Sequence, residues 1–106
     1  MEVTFNDPEL TALYEGEPVK RKELKSNATL SKQFVKTINQ LKGVDKVEQL
    51  MQIKALDYKK LTDDPDGMSA VWINKQFRLH FLEIVNNENP PKVVLLQIEK
   101  ITNHYK

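Results

Sequence analysis

Cationic side chains and one imidazole–phenol pair are the groups in this sequence best suited to chemistry. They are Lys54, Lys59, Lys60, Arg78, His104, Tyr105 and Lys106. Neighbouring strand ends lie close together in a meander, so these groups can converge. The set suits phosphodiester transfer within RNA: a base takes the 2′-hydroxyl proton, cations stabilise the pentacovalent phosphate, and an acid protonates the departing 5′-oxygen. Arg78 would hold the phosphate, and His104 or Tyr105 would move protons, unless this pair is a plain surface tail.

A predicted β-hairpin positions Arg78. The apolar run Ala70–Ile73 and the alternating run Phe77–Ile84 are separated by three polar residues, a pattern typical of a hairpin. Alternation directs three large apolar side chains of the second strand to one face and directs Arg78 and His80 to the other. Arginine in mid-strand needs a partner, so Arg78 either forms a cross-strand ion pair or binds an anionic ligand. For His80, an ordinary hydrogen-bonded role in the sheet is the alternative to chemistry.

The first half of the chain is predicted to be mainly helical. Glu2–Phe5 alternates like a short strand, and Asn6 or Asp7 then caps a helix that ends near Gly16. Residues 15–25 are charged and predict a mobile connector. A second helix follows, with an apolar stripe at Leu30, Phe34, Ile38 and Leu41.

A third helix is predicted to begin at Val44–Asp45, with Val47, Leu50 and Met51 on its inner face. The link after Gly43 is short, so we expect this helix to form an antiparallel hairpin with the helix before it.

The second half of the chain is predicted to be a sheet. A strand is expected around Leu56–Leu61, then a turn over residues 62–67, the hairpin, and a final strand over Lys92–Ile101. The final strand is apolar on both faces, which favours an internal position. The sequence therefore predicts one α+β domain over residues 1–106, with two layers and the order β-α-α followed by an antiparallel meander of three or four strands.

Composition excludes several classes of protein. The chain has 106 residues, no cysteine and a net charge of +1, so we expect no disulfide framework and no bulk attraction to polyanions. The cations between Lys20 and Lys36 predict either a phosphate-binding patch or a solvated helix face. No apolar run is long enough for a membrane span, and the first residues do not resemble a signal peptide. We therefore expect a soluble, cytoplasmic protein.

No metal or cofactor is expected. The two histidines, His80 and His104, are far apart in sequence, and the turn Asp63–Gly67 lacks the acidic ligand that a calcium loop needs at its end. A glycine-rich phosphate loop and a nucleophilic serine motif are also lacking.

A further pattern covers most of the chain after residue 50, and its residues are Leu56, Tyr58, Lys60, Leu61, Asp64, Gly67, Ser69, Val71, Ile73, Asn74, Gln76 to Leu79, Phe81, and Asn103 to Tyr105. This pattern resembles the RelE/ParE toxin superfamily, and is most similar to its HigB-type killer toxins. The resemblance implies a RelE/ParE-like fold and the toxin of a bacterial type II toxin–antitoxin pair that cuts messenger RNA on the ribosome. It implies as partners the ribosome, its mRNA and a HigA-like helix-turn-helix antitoxin, through which alone operator DNA is bound.

Carried over by position, Arg78 takes the family's phosphate-binding role, and His104 and Tyr105 take the acid–base roles. The family has a lysine at position 62 and an arginine at position 72, where this chain has Thr62 and Trp72. Lys60 shares the facing of position 62 and is the expected catalytic substitute. Lys54, Lys59, Trp72 and Lys106 are the expected RNA contacts, with Trp72 stacking on a base.

Three functions stay open at this point. The first is the mRNA endoribonuclease. The second is a catalytically weakened toxin-like binding module that acts through an antitoxin, since two cations of the family are replaced. The third is a gyrase-targeting toxin of the ParE type.

Overall fold

The structure, a computed structural model, describes residues 1–103. Its strands are β1 (Glu2–Phe5), β2 (Lys59–Lys60), β3 (Ser69–Trp72), β4 (Phe77–Val85) and β5 (Val93–Asn103), and its α-helices are α1 (Pro8–Glu15), α2 (Lys22–Lys25) and α3 (Ala28–Lys42). Two 3₁₀ helices, Val47–Gln52 and Lys54–Leu56, connect α3 to β2. Apart from β1, the strands follow the helices along the chain, so the fold is α+β as predicted.

The five strands form one mixed sheet in the order β1-β5-β4-β3-β2. The run from β2 to β5 is an antiparallel meander, whereas β1 lies parallel to β5 with Val3 opposite Leu96. β5 is therefore internal, as its apolar sequence predicts. The sequence predicts β1 as a strand but does not reveal its partner, because that partner lies some ninety residues later along the chain.

The helices cover one face of this sheet. The buried side chains of β4, which are Phe77, Leu79 and Phe81, share a single core with the α3 stripe Leu30, Phe34, Ile38 and Leu41. The cap residues also follow the sequence, because Asp7 accepts a hydrogen bond from the Glu9 amide and Asn27 accepts one from the Leu30 amide. The opposite face of the sheet is covered by none of these helices. We call it the outer face.

One predicted element is wrong, and another is shorter than expected. The helix predicted to begin at Val44–Asp45 does not form the second arm of an antiparallel hairpin. In its place Val47–Gln52 is a 3₁₀ helix in which Val47 and Leu50 are buried but Met51 is 62% exposed. Side chains three apart eclipse each other in a 3₁₀ helix, so Met51 falls off the buried side. The predicted strand near Leu56–Leu61 shrinks to the two residues of β2.

The predicted connector is also more ordered than expected. It contains the short helix α2, and the amides of Lys20 and Arg21 donate hydrogen bonds to the Glu9 carboxylate. The Arg21 guanidinium pairs with Asp7 and Glu9. These contacts attach the segment to the first turn of α1, and charge alone therefore gives the wrong prediction of mobility here.

One polar cluster lies on the helix side of the sheet. The hydroxyls of Tyr58 and Ser69 both donate hydrogen bonds to the carboxylate of Glu83. Burial and the nearby carboxylate raise the pKa of Tyr58 to about 12, so this phenol stays protonated. The cluster satisfies its own polar atoms and is best understood as structural.

No helix within residues 1–103 is both long enough and apolar enough to cross a bilayer.

Candidate functional site

The hairpin places Arg78 and His80 on the outer face. In the antiparallel pairing Trp72 lies opposite Arg78 and Ala70 lies opposite His80, and directly paired residues share a face. On the other side of β4, Thr102 lies opposite Arg78. The predicted division of β4 into an apolar face and a face that carries Arg78 and His80 is therefore confirmed.

These residues line a small hollow on the outer face, which we call the arginine hollow. Its volume is about 110 Å³, and it is lined by Asp57, Lys59, Leu61, Ala70, Trp72, Arg78 and His80. Pockets for drug-sized ligands are typically about 300–1,000 Å³, so this hollow fits only a small group such as a phosphate.

The Arg78 guanidinium is free of carboxylates in the described part of the chain. Its Cζ atom lies 4.1 Å from the centre of the Trp72 ring, in cation–π contact. Its Nη1 atom is buried and has no hydrogen-bond partner among residues 1–103. A buried donor without a partner is uncommon, because leaving one unsatisfied costs on the order of 1–3 kcal/mol. Of the two explanations for this arginine, the carboxylate ion pair is absent from residues 1–103, and the arrangement favours an anionic ligand.

His80 lies beside Arg78 with one ring nitrogen anchored and the other unused. Its Nε2 atom is 3.0 Å from the Thr102 hydroxyl, while its Nδ1 atom is buried and has no hydrogen-bond partner in the described chain. Burial lowers the pKa of His80, and Lys100 and Arg78 lower it further against the opposing effect of Asp64. The imidazole is therefore mainly neutral at pH 7, and a neutral imidazole can accept a proton as a general base.

Lys59 supplies the second cation of the arginine hollow. It pairs with Ala70 on the outer face, and its ammonium lies 3.5 Å from the Asp57 carboxylate. Asp57 has a left-handed backbone with φ 44°, which ends the preceding 3₁₀ helix and turns the chain into β2. Two cations and one carboxylate thus leave the hollow positively charged, as an anion site requires.

Lys60 lies elsewhere. It pairs with Ser69, which in turn pairs with Phe81, so Lys60 belongs to the helix side of the sheet and not to the outer face. Of the two neighbouring lysines, the structure brings Lys59 to Arg78, and this corrects the expectation that Lys60 joins the site. The register of these lysines depends on β2, which has only two residues, and the sequence pattern did not show where this strand begins.

The other predicted residues are only partly accounted for. Lys54 is exposed in a 3₁₀ helix and does not line the arginine hollow, whereas Trp72 does. His104, Tyr105 and Lys106 lie outside the described residues. The strand that leads to them is described as far as Asn103, which pairs with Phe77 next to Arg78.

His80 is the residue that sequence reasoning undervalued. Its spacing of two residues from Arg78 already placed it on the same face, but a histidine in a sheet is usually satisfied by neighbours. Only the three-dimensional structure shows that its Nδ1 atom is buried with no hydrogen-bond partner among residues 1–103.

Comparisons with protein-family models, with curated proteins and with solved structures find no match to this chain. Within residues 1–103, no group of three or more His, Asp or Glu side chains is arranged to hold a metal ion.

Proposed function

We propose that this protein is the toxin of a bacterial type II toxin–antitoxin pair with a RelE/ParE-like fold, and that it cleaves messenger RNA on the ribosome. The observation that carries the proposal is the Arg78 guanidinium, which lies in a positively charged hollow with a buried nitrogen that no described residue satisfies. The order of strands and helices and the sequence resemblance after residue 50 support it. The partners would be the ribosome and a helix-turn-helix antitoxin, which alone would contact operator DNA.

In the proposed reaction Arg78 and Lys59 hold the scissile phosphate. A base removes the proton of the ribose 2′-hydroxyl, whose oxygen attacks the phosphorus and forms a new P–O bond. The bond to the 5′-oxygen breaks as an acid protonates that oxygen, so the products are a 2′,3′-cyclic phosphate and a 5′-hydroxyl. Arg78 and Lys59 stabilise the charge that develops on the phosphate, and this scheme uses no metal ion.

Two sets of residues can move the protons in this scheme. The first is His104 and Tyr105, which the resemblance assigns to acid–base catalysis. The second is His80, whose neutral imidazole already lies in the arginine hollow. The substitutions His80→Gln and His104→Gln distinguish them, because loss of a general base or acid typically costs about 10²–10⁴-fold in rate.

The test is cleavage of a defined mRNA by the purified protein with and without translating ribosomes. We expect Arg78→Ala to lower cleavage by about 10²-fold, the usual cost of losing one group that stabilises the transition state. Arg78→Lys should recover only part of the rate, since a lysine lacks the planar fork that binds phosphate at two points. Lys92→Ala, an exposed lysine in the loop before β5, is the matched control and should cleave normally. Normal cleavage by Arg78→Ala, or none by the wild type, would overturn the proposal.

A second candidate function is favoured by the position of Trp72. This indole covers one side of the Arg78 guanidinium where the family has a second arginine, and Thr62 is exposed in the turn where the family has a lysine. Both changes suit a toxin-like module that binds an antitoxin and no longer cleaves RNA. If growth arrest appears only in the double variant Thr62→Lys, Trp72→Arg, this second function is the correct one.

A further inference from the structure

A second small hollow adjoins the arginine hollow. Its volume is about 120 Å³, and it lies between α3 and the end of β3. Trp72 lines both hollows, so the two are neighbours that meet at this residue. We call the second one the glutamine hollow, because Gln33 and Gln40 of α3 contribute to its wall together with Lys36.

The polar groups of the glutamine hollow are available to a ligand. Lys36 is exposed, and no ion pair within residues 1–103 includes it. No hydrogen bond of the described chain occupies the side-chain amide of Gln40. Gln33 uses its Oε1 atom to accept a hydrogen bond from Asn74 at 2.7 Å, so its own NH₂ group remains as a donor.

This set of groups selects a particular ligand chemistry. Among residues 1–103, no carboxylate lines the glutamine hollow, so the usual ligands for a metal ion or a cationic peptide are lacking there. The ammonium of Lys36 can contact a phosphate. The side-chain amides of Gln33 and Gln40 can form hydrogen bonds with the polar edge of a nucleobase. Trp72 has one ring face against Arg78 and is still partly exposed. It therefore provides a stacking surface between the two hollows.

We propose that the glutamine hollow is a nucleotide subsite for single-stranded RNA. It takes the nucleotide next to the phosphate held by Arg78, with the base stacked at Trp72 and its edge bound by Gln40, while Lys36 contacts the adjoining phosphate. The inference deepens the proposed function and rests on it for the identity of the polymer. It does not require that the RNA be cleaved.

The experiment uses Trp72 as its reporter. This is the single tryptophan of the chain, so its fluorescence responds to occupancy of either hollow. The protein is titrated with inorganic phosphate and with a uridine hexanucleotide whose 2′-hydroxyls are methylated to prevent cleavage. We expect Lys36→Gln to weaken hexanucleotide binding by about threefold to tenfold, and Lys36→Gln combined with Gln40→Leu by more than tenfold, with phosphate binding unchanged. Lys32→Gln, an exposed lysine one turn earlier in α3 that lines neither hollow, is the matched control.

Each outcome decides the inference separately from the proposed function. If Lys36→Gln binds the hexanucleotide as tightly as Lys32→Gln does, the subsite is wrong, even when the wild type cleaves mRNA. If the wild type cleaves nothing but its hexanucleotide affinity depends on Lys36 and Gln40, the subsite stands and the nuclease does not. Absence of any fluorescence response to the hexanucleotide also overturns the subsite. The single variant Lys36→Gln keeps the test decisive if Gln40→Leu impairs folding, which circular dichroism will show.

Discussion

Arg78 is the residue whose surroundings are hardest to explain by stability alone. Its Nη1 atom is buried without a hydrogen-bond partner in the described chain, and its guanidinium stacks on Trp72. The unsatisfied donor costs on the order of 1–3 kcal/mol, and a cation–π contact returns about 0.5–2 kcal/mol. The two effects nearly cancel, so the arginine adds little to the folded state.

We therefore predict that Arg78→Met leaves the free energy of unfolding within about 1 kcal/mol of the wild-type value, or raises it, while RNA binding is lost. Urea denaturation measures the first quantity and the hexanucleotide titration the second. The neighbour Leu79 is completely buried, so Leu79→Ala serves as the contrast and should cost about 2–5 kcal/mol. A loss above about 2 kcal/mol in Arg78→Met would assign Arg78 a structural role instead.

His80 makes stability depend on pH. Burial, Lys100 and Arg78 together lower its pKa in the folded protein below the ordinary value of about 6.5, despite the opposing effect of Asp64. The unfolded chain then binds more protons than the folded chain as the pH falls from 6.5 toward the folded pKa. The contribution of His80 to the free energy of unfolding is therefore fully present above pH 6.5, and it is lost as the pH falls through that window.

We predict that lowering the pH from 7.5 to 5 destabilises the wild type more than it destabilises His80→Gln, which cannot take up this proton. The difference between their urea midpoints at the two pH values is the measurement. His104→Gln is the control for the other histidine of the chain. Equal acid sensitivity in the wild type and in His80→Gln would show that His80 titrates as an exposed group does.

At the scale of elements, the hairpin was predictable because its evidence is local. The alternation of Phe77, Arg78, Leu79, His80 and Phe81 specifies both faces of β4, and the structure confirms it. The α3 stripe and the two helix caps are local signals of the same kind.

The features that the sequence did not reveal depend on contacts distant in sequence. The pairing of β1 with β5 and the register of β2 cannot be deduced from the residues around them. For this reason sequence reasoning found Arg78 and Trp72 but chose Lys60 over Lys59. The glutamine hollow, which joins α3 to the end of β3, is likewise a product of tertiary packing.

Asn74 connects the hairpin to α3. Its Oδ1 atom accepts hydrogen bonds from the amides of Gln76 and Phe77, both at 2.8 Å, and its Nδ2 atom donates to Gln33 at 2.7 Å. The first two bonds close the turn, and the third fixes the turn against the helix. Asn74 thereby positions Trp72 and Arg78, which flank this turn.

We predict that Asn74→Ala lowers the free energy of unfolding by about 1–3 kcal/mol, because three hydrogen bonds are lost and the Gln33 oxygen is left without its donor. Denaturation followed by Trp72 fluorescence measures the change. Lys75→Ala, at an exposed position in the same turn, should stay within about 0.5 kcal/mol. Equal stability of the two variants would show that backbone pairing alone specifies the hairpin.

At the scale of the whole molecule, charge is nearly balanced, with 16 basic and 15 acidic residues. We therefore expect weak long-range attraction to RNA, and in the proposed function the affinity comes from cations placed locally. The helices cover one face of the sheet and leave the outer face open, so Lys59 and Arg78 are accessible to a ligand there, and Lys36 of α3 lies near the edge where the two hollows join.

This arrangement predicts a small salt dependence. Each phosphate neutralised on single-stranded RNA contributes about −0.7 to the slope of log affinity against log salt concentration, so three cations give a slope of about −2. Lys36→Gln should reduce the magnitude of that slope by about 0.7, whereas Lys32→Gln should not change it. Fluorescence titrations of the methylated hexanucleotide at several salt concentrations measure both values. A slope steeper than about −4 would mean that RNA spreads over the lysines of the general surface, and a slope near zero would mean that no phosphate is neutralised at either hollow.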